Sequence, residues 1–245
     1  MVAAWGRIQA GKGPVAPDPV MGQAANFLYM LTGERPNPTA IRALDVALTL
    51  HADHELNAST FAARVAAATL TDIYSTVVGA IGALKGPLHG GAPSKVLEML
   101  EAIGNAENVD AWLTEALDRG DRLMGFGHRV YKAEDPRAEI LRGMAEEAST
   151  PKFFELSRRT EERALALLHE RKPGRRLYTN VEFYSAAVLS AVGLPGDMFT
   201  PTFAVSRVTG WTAHVLEQVA NNRLIRPQSE FVGATDKTFV AIERR

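Results

Sequence analysis

Cysteine is absent from this 245-residue chain, which excludes disulfides, thiolate metal sites and cysteine nucleophiles. An excess of positive charge is missing as well: 27 Lys and Arg stand against 28 Asp and Glu, for a formal net charge of −1. No basic field of the kind used by nucleic-acid binders results. No apolar run approaches the roughly 20 residues a membrane helix needs. The opening MVAAWGRIQAGKG has too short an apolar stretch for a signal peptide. Strand signals are nearly missing, since no period-two run of β-branched residues exceeds a few positions. Neither a GxGxxG nor a Walker pattern occurs. These absences leave an all-α protein, expected to be soluble and cytoplasmic. With 46% hydrophobic residues it can bury a large core in one or two domains.

What is present is helix. After the breaker cluster Glu34-Arg35-Pro36-Asn37-Pro38, Ile41, Leu44, Ala47 and Leu48 recur at helix period. From Thr60 to Leu84 the chain is rich in Ala, Gly, Ser and Thr, with Ile73, Val77, Val78 and Ile81 as an apolar stripe. Small side chains let helix axes approach closely, so this stretch predicts a buried helix pair or a helix at a subunit interface. Ser94 is expected to cap a helix stopped by Gly104, and Asn108 one stopped by Gly120. Asp135-Pro136 reads as an N-cap and N1 pair opening a helix through Met144. Pro151 to Arg171 predicts a longer charged helix, Asn180 a cap for VEFYSAAVLSAVG, and Pro201 the start of a last helix through Asn221. Composition suggests domain boundaries near Gly82–Gly91 and Ser185–Pro195.

Four segments carry reactive residues that packing alone does not require. His51-Ala52-Asp53-His54-Glu55 sits at a helix-to-helix junction. Two histidines at i, i+3 beside an aspartate could hold a metal, but no third ligand is matched. Polar groups satisfying helix-end backbone are the favoured reading. In GPLHGGAPSK, His89 lies among glycines and prolines just ahead of a helical pattern, where the dipole disfavours imidazolium. A neutral imidazole there can donate to a substrate carbonyl; an incidental turn histidine is the alternative. In GFGHRVYKAEDPR, glycines allow close backbone approach to a ligand and Arg129, Lys132 and Arg137 follow within ten residues. Arg137 falls in a first helical turn, where an anion is well received, although such runs are usually surface charge. Glu182 in NVEFYSAAV is either an ordinary first-turn carboxylate or a general base tuned by its apolar neighbours. Arg207 and Arg226 are cations set in largely apolar sequence, where a free charge is costly unless paired.

Taken together, HADHELNAST, GPLHGGA, GFGHRVYKAEDPR, NVEFYSAAV, FTPTFAVSRVTGW and NRLIRP resemble the citrate synthase family, in order and at similar spacing over nearly the whole chain. ANFLYMLTGE near the start looks like the bacterial branch. The resemblance implies two helical domains, a large one formed by 1–88 and 186–245 and a small one by 89–185, with the active site in the cleft between them. It implies an acyltransferase of the tricarboxylic acid cycle that condenses acetyl-CoA with oxaloacetate and hydrolyses citryl-CoA, working as a homodimer without cofactor or metal. The catalytic set would be His89 on the thioester carbonyl, Glu182 as base and His128 on the oxaloacetate ketone. His54, Arg137 and Arg207 would hold the oxaloacetate carboxylates, and Arg226 would reach in from the partner subunit. CoA would lie along Arg122, Leu123, Met124, Gly125, Phe126 and Gly127, with Lys132 near its phosphates.

The chain departs from the family pattern in two ways. The usual base is aspartate, and Glu182 is longer by one methylene. Members also carry a helical portion ahead of the equivalent of MVAAWGRIQAGKG, so exposed apolar surface is expected unless a partner covers it. Two further readings accompany the leading one: a 2-methylcitrate synthase using propionyl-CoA, and a weakly active or non-catalytic paralogue that binds oxaloacetate-like anions.

Overall fold

The computed structural model describes residues 1–127, 133–174 and 177–244. Among them are eleven α-helices and three short 3-10 turns; the only β pairing is an isolated antiparallel bridge between Phe126 and Thr179. The helices are α1 (Val2–Gln9), α2 (Gln23–Thr32), α3 (Pro38–His51), α4 (Ala58–Ala67), α5 (Ile73–Leu84), α6 (Ala92–Ile103), α7 (Val109–Asp118), α8 (Pro136–Ala148), α9 (Pro151–Arg171), α10 (Val181–Ala191) and α11 (Phe199–Ala220). No described helix is long and apolar enough to cross a membrane.

Helix starts follow side chains that accept from first-turn amides. Asn37 takes the Ala40 N–H at 2.8 Å, Asn57 that of Thr60 at 3.1 Å, and Asp72 that of Ser75 at 2.9 Å. Asp135 and Asn180 cap α8 and α10 as expected, through Arg137 N at 3.0 Å and Glu182 N at 3.2 Å. Two expected starts move, and one expected cap keeps its position without its bond. Ser94 does not cap α6, which begins two residues earlier with Pro93 in its first turn; its hydroxyl instead donates to the Gly196 carbonyl at 2.8 Å. Asn108 precedes α7 as expected, but its side chain does not cap: Asn105 accepts the main-chain amides of Glu107 and Asn108, and Asn108 Nδ2 donates to the Ile103 carbonyl at 3.0 Å. Finally, α11 starts at Phe199, so Pro201 sits inside its first turn, where its missing N–H leaves no bond unmade.

Two apolar cores result. The larger joins α1, α2 and α3 to α6–α10, drawing residues from all three expected segments, 1–88, 89–185 and 186–245. The smaller is built by α4, α5 and α11 around fully buried Trp211, with Ala63, Ala67, Ala80, Leu84 and Val215. The expected stripe on α5 is split: Val77 packs against this smaller core, whereas Val78 is 66% exposed and Ile81 42%. One close approach positions the site. A Cβ on Gly210 would meet the Ala52 carbonyl oxygen at 2.2 Å, so only glycine lets α11 press against the turn that follows α3. Arg207, one turn earlier on α11, thereby reaches His51.

Candidate active site

Asp135 organises one wall. Nearly fully buried, it accepts the Arg137 amide and side-chain Nε at 3.0 Å each through Oδ1, and Arg137 Nη2 at 2.8 Å through Oδ2. The same Oδ2 accepts the Val181 N–H at 3.2 Å, so one carboxylate ties the start of α8 to the start of α10. Arg137 is thus held by a bidentate pair at a helix N-terminus. Glu182 follows Val181. Its Oε2 is sequestered from solvent with no hydrogen-bond partner among the described residues. Burial pushes its carboxyl above the usual range, while its own main-chain N–H and the charges of Arg137 and Arg207 pull it back.

Arg207 forms the opposite wall. It is 2% exposed, donates Nε to the His51 carbonyl at 2.7 Å and stacks its guanidinium 4.8 Å from the Phe203 ring centroid. No carboxylate pairs with it within ion-pair distance among the described residues. Burial lowers it to about 10; Asp53 and Glu182 act against that shift and the like charge of Arg137 with it. His89 stands nearby. Its Nε2 is 2.9 Å from Ser59 Oγ, and burial together with the Arg207 charge lowers its pKa. Arg137, Glu182, Arg207 and His89 therefore share one electrostatic neighbourhood, although 118 positions separate the first from the last in sequence (207 − 89).

The remaining expected residues divide. His54 is half-buried in the turn between α3 and α4, and its carbonyl accepts Asn57 Nδ2 at 3.2 Å. Leu123 and Phe126 belong to the larger core, so this loop can offer a ligand mainly main chain and the exposed Arg122. Met124 packs half-buried against the same core. Gly125 and Gly127 adopt φ of +88° and +82°, and the loop is pinned to the α10 entry by Gly127 N to Tyr178 O at 2.7 Å and Asn180 N to Gly125 O at 3.0 Å. Arg226 lies exposed in the extended segment after α11 and makes no hydrogen bond or ion pair among the described residues. His128 and Lys132, like Arg129, lie outside the described residues.

Sequence reasoning missed the residues that support these groups. Ser59 accepts Trp211 Nε1 at 3.1 Å and donates to Asn57 Oδ1 at 2.8 Å while meeting His89. His51 is buried against Ser185 and Phe203 rather than offered to a metal, and no metal-ligating cluster occurs among the described residues. The polar fringe of HADHELNAST was the available signal for Ser59; Ser185 had none, being one serine on a buried helix face.

Residues 1–228 match the family described as citrate synthase, C-terminal domain. Citrate synthase 2 of Bacillus subtilis is 51% identical over 249 aligned positions, covering all of this chain and 65% of that protein. The crystal structure of citrate synthase from Thermotoga maritima superposes with a TM-score of 0.86 at 45% identity, covering all of this chain and 66% of that one. A ternary complex of the Thermoplasma acidophilum citrate synthase with carboxymethyl coenzyme A and oxaloacetate superposes at 0.90 with 37% identity, covering all of this chain and 65% of that one. The chain belongs to the citrate synthase family. It spans about two-thirds of the length of the relatives it matches.

Proposed function

We propose that this chain condenses acetyl-CoA with oxaloacetate and hydrolyses the resulting citryl-CoA to citrate and CoA. The observation that carries the reading is Arg207, a buried guanidinium without an ion-pair partner among the described residues, beside a second guanidinium on Arg137. An uncompensated buried cation is costly, and a dicarboxylate supplies the missing counter-charge in a geometry that planar guanidinium matches. The Thermoplasma relative was solved with oxaloacetate and a CoA analogue, which supports the same ligand pair here.

In this reading the Glu182 carboxylate takes a methyl proton from the thioester while His89 donates to its carbonyl oxygen, so base and oxyanion donor act together on a very weak acid. His89 reaches Ser59 through Nε2, leaving Nδ1 for the substrate. For Nδ1 to donate from a neutral ring, the Ser59 proton must turn from Asn57 to Nε2. Asn57 Oδ1 stays satisfied by the Thr60 amide. The enolate carbon then attacks the oxaloacetate ketone, polarised by His128, while His54, Arg137 and Arg207 hold the carboxylates. With 1–88 and 186–245 as one domain and 89–185 as the other, His54 and Arg207 face His89, Arg137 and Glu182 across the cleft. The loop from Arg122 to Gly127, with Lys132, holds CoA.

The active unit is a homodimer. Phe61, Tyr74, Val78 and Ile81 on α4 and α5, with Leu216 and Val219 on α11, are 42% to 80% exposed on the same three-helix unit, an apolar surface that a second copy of this chain would cover. The exposed segment carrying Arg226 extends beyond α11 and would bring that cation to the neighbouring site. The test is oxaloacetate-dependent release of CoA from acetyl-CoA, followed with a thiol-reactive dye; the protein contributes no thiol of its own. Faster release from propionyl-CoA would move the substrate to the longer acyl chain. Oxaloacetate binding without release would leave an anion-binding protein.

A further inference from the structure

His51 plays no part in the reaction just described, yet it touches α10 and α11 from the end of α3. It is 6% exposed and ends α3. Its Nδ1 lies 2.7 Å from the Ala47 carbonyl, which can only accept, so Nδ1 carries a proton. Burial holds the ring neutral, pushing it down to about 4; the charges of Arg137 and Arg207 add to this, and the Ala47 bond and Asp135 oppose it. Nε2 is therefore bare and faces Ser185 Oγ at 2.8 Å. That hydroxyl also lies 2.5 Å from the carbonyl of Val181, the first residue of α10, so its single proton is shared between the imidazole and the α10 first turn. The histidine's own carbonyl meanwhile accepts Arg207 Nε. Phe203 fills the space behind, edge-on to His51 at 5.0 Å and to His89 at 6.3 Å, with the Arg207 guanidinium over its face.

We propose that His51 is a positioning residue: through Ser185 it fixes the first turn of α10, and through its main chain it fixes Arg207, so that the Glu182 carboxylate and the anion site keep one set relation. Helices α3, α10 and α11 thus meet at this one residue, α10 through its imidazole and α11 through its carbonyl; a second polar tie, Ser206 Oγ to the Leu48 carbonyl, joins only α11 to α3. The inference rests on the condensation reading above for its kinetic consequence, but not for the contact itself.

Ser185→Ala removes one oxygen from a fully buried site and leaves the packing volume almost unchanged. In the full-length chain it should lower kcat about tenfold, because an ångström-scale shift of the base suffices for that, while the oxaloacetate KM stays within about threefold. His51→Ala should lower kcat and also raise that KM, since the turn holding Arg207 loosens. His51→Gln, whose amide reaches Ser185, should restore part of the kcat. Adding Ser185→Ala to His51→Ala should cost less than about twofold more, the mark of a shared interaction. In ¹⁵N-histidine spectra of the wild type, His51 should be protonated at Nδ1 and bare at Nε2. Unchanged kcat in Ser185→Ala, additive losses in the double variant, or the opposite tautomer would each overturn the proposal. If the wild type releases no CoA, the condensation reading fails by itself; the tautomer, and a shift of the Glu182 carboxyl titration in Ser185→Ala, still decide the positioning role.

Discussion

Helices α5 and α10 invert the relation between composition and burial. The sequence of α5, IYSTVVGAIGAL, holds no charged residue, yet Tyr74, Val78 and Ile81 face outward at 80%, 66% and 42% exposure. The sequence of α10, VEFYSAAVLSA, carries Glu182 in its first turn, and its residues 183–189 are all buried. Apolar surface left uncovered and a carboxylate taken out of water are both unfavourable for an isolated chain. The proposed function accounts for both, with a second copy of the chain at α5 and a substrate at α10. The cores behind them differ in the same sense. The larger draws on α1–α3 and α6–α10, whereas the smaller rests on α4, α5 and α11 around Trp211, and Val78 and Leu216 of the same helices stay exposed.

The largest effect is expected at Arg207. Arg207→Leu should weaken oxaloacetate binding by about 2–5 kcal/mol, as for other buried charge pairs that lose one partner. The ligand-free protein should keep its Tm within about 4 °C, because an uncompensated buried cation is exchanged for a side chain suited to the interior. Calorimetric titration and thermal melts of the same preparation read both. A large loss of stability with unchanged oxaloacetate affinity would make Arg207 a packing residue and leave α10 without its ligand argument.

A smaller effect is expected on the other side. Val78→Asp places a carboxylate in the middle of the outward stripe, where the monomer already exposes the side chain. Light scattering after size exclusion should shift from dimer to monomer, with the far-ultraviolet helix signal retained. Activity should fall with it if Arg226 completes the neighbouring site. A variant that remains dimeric would move the interface off α5.

Local rules made most helices legible, and they failed where distant contacts decide. Asp135-Pro136, Asn180 and the span Pro151–Arg171 behave as their sequence suggests, since a cap or a first-turn proline is satisfied within three residues. Ser94 had the right chemistry for a cap, but its hydroxyl is taken by Gly196, 102 residues away. Asn105 and Thr150 were overlooked although both cap. The expected site residues were visible as unusual polar groups in apolar or glycine-rich stretches. Their supports were not, because His51 to Ser185 and Ser59 to Trp211 span 134 and 152 positions. The buried cluster at Glu161, which takes Arg142, Thr179 and Tyr184 at 2.6 to 2.7 Å, left no local trace at all.

The pH dependence of stability also separates the two regions, since His51 and the Glu182 carboxyl are buried at α10 whereas Asp72, the cap of α5, is exposed. His51 has an ordinary value of 6.5 and a folded value of about 4, so the folded protein prefers the neutral ring. Its contribution is fully present above pH 6.5 and is lost as the pH falls towards 4, by up to roughly 3 kcal/mol. His89, also lowered, acts in the same direction. Glu182, raised by burial, acts in the opposite one: protonation relieves it, so it favours the folded state at low pH. Denaturant melts between pH 7 and 5 should show a decline, and His51→Gln should flatten it. An unchanged slope in that variant would place the acid sensitivity elsewhere.

The smallest effect expected is that of Glu182→Asp. Against aspartate, the extra methylene lengthens the side chain by about one bond, a displacement that can matter by on the order of 10²-fold if it reaches the reacting proton. The carboxylate is held in the first turn of α10, where the helix end receives negative charge. Glu182→Asp should therefore alter kcat by less than about tenfold, whereas Glu182→Gln, which keeps the length and removes the base, should lose about 10²-fold or more. Both can be read from single-turnover rates with saturating oxaloacetate. A large gain from Asp would mean that glutamate misplaces the base, and a large loss that α10 is built around the longer side chain. Near-equality would show that a helix N-terminus can accept either carboxylate when its first turn, rather than side-chain length, sets the position of the charge.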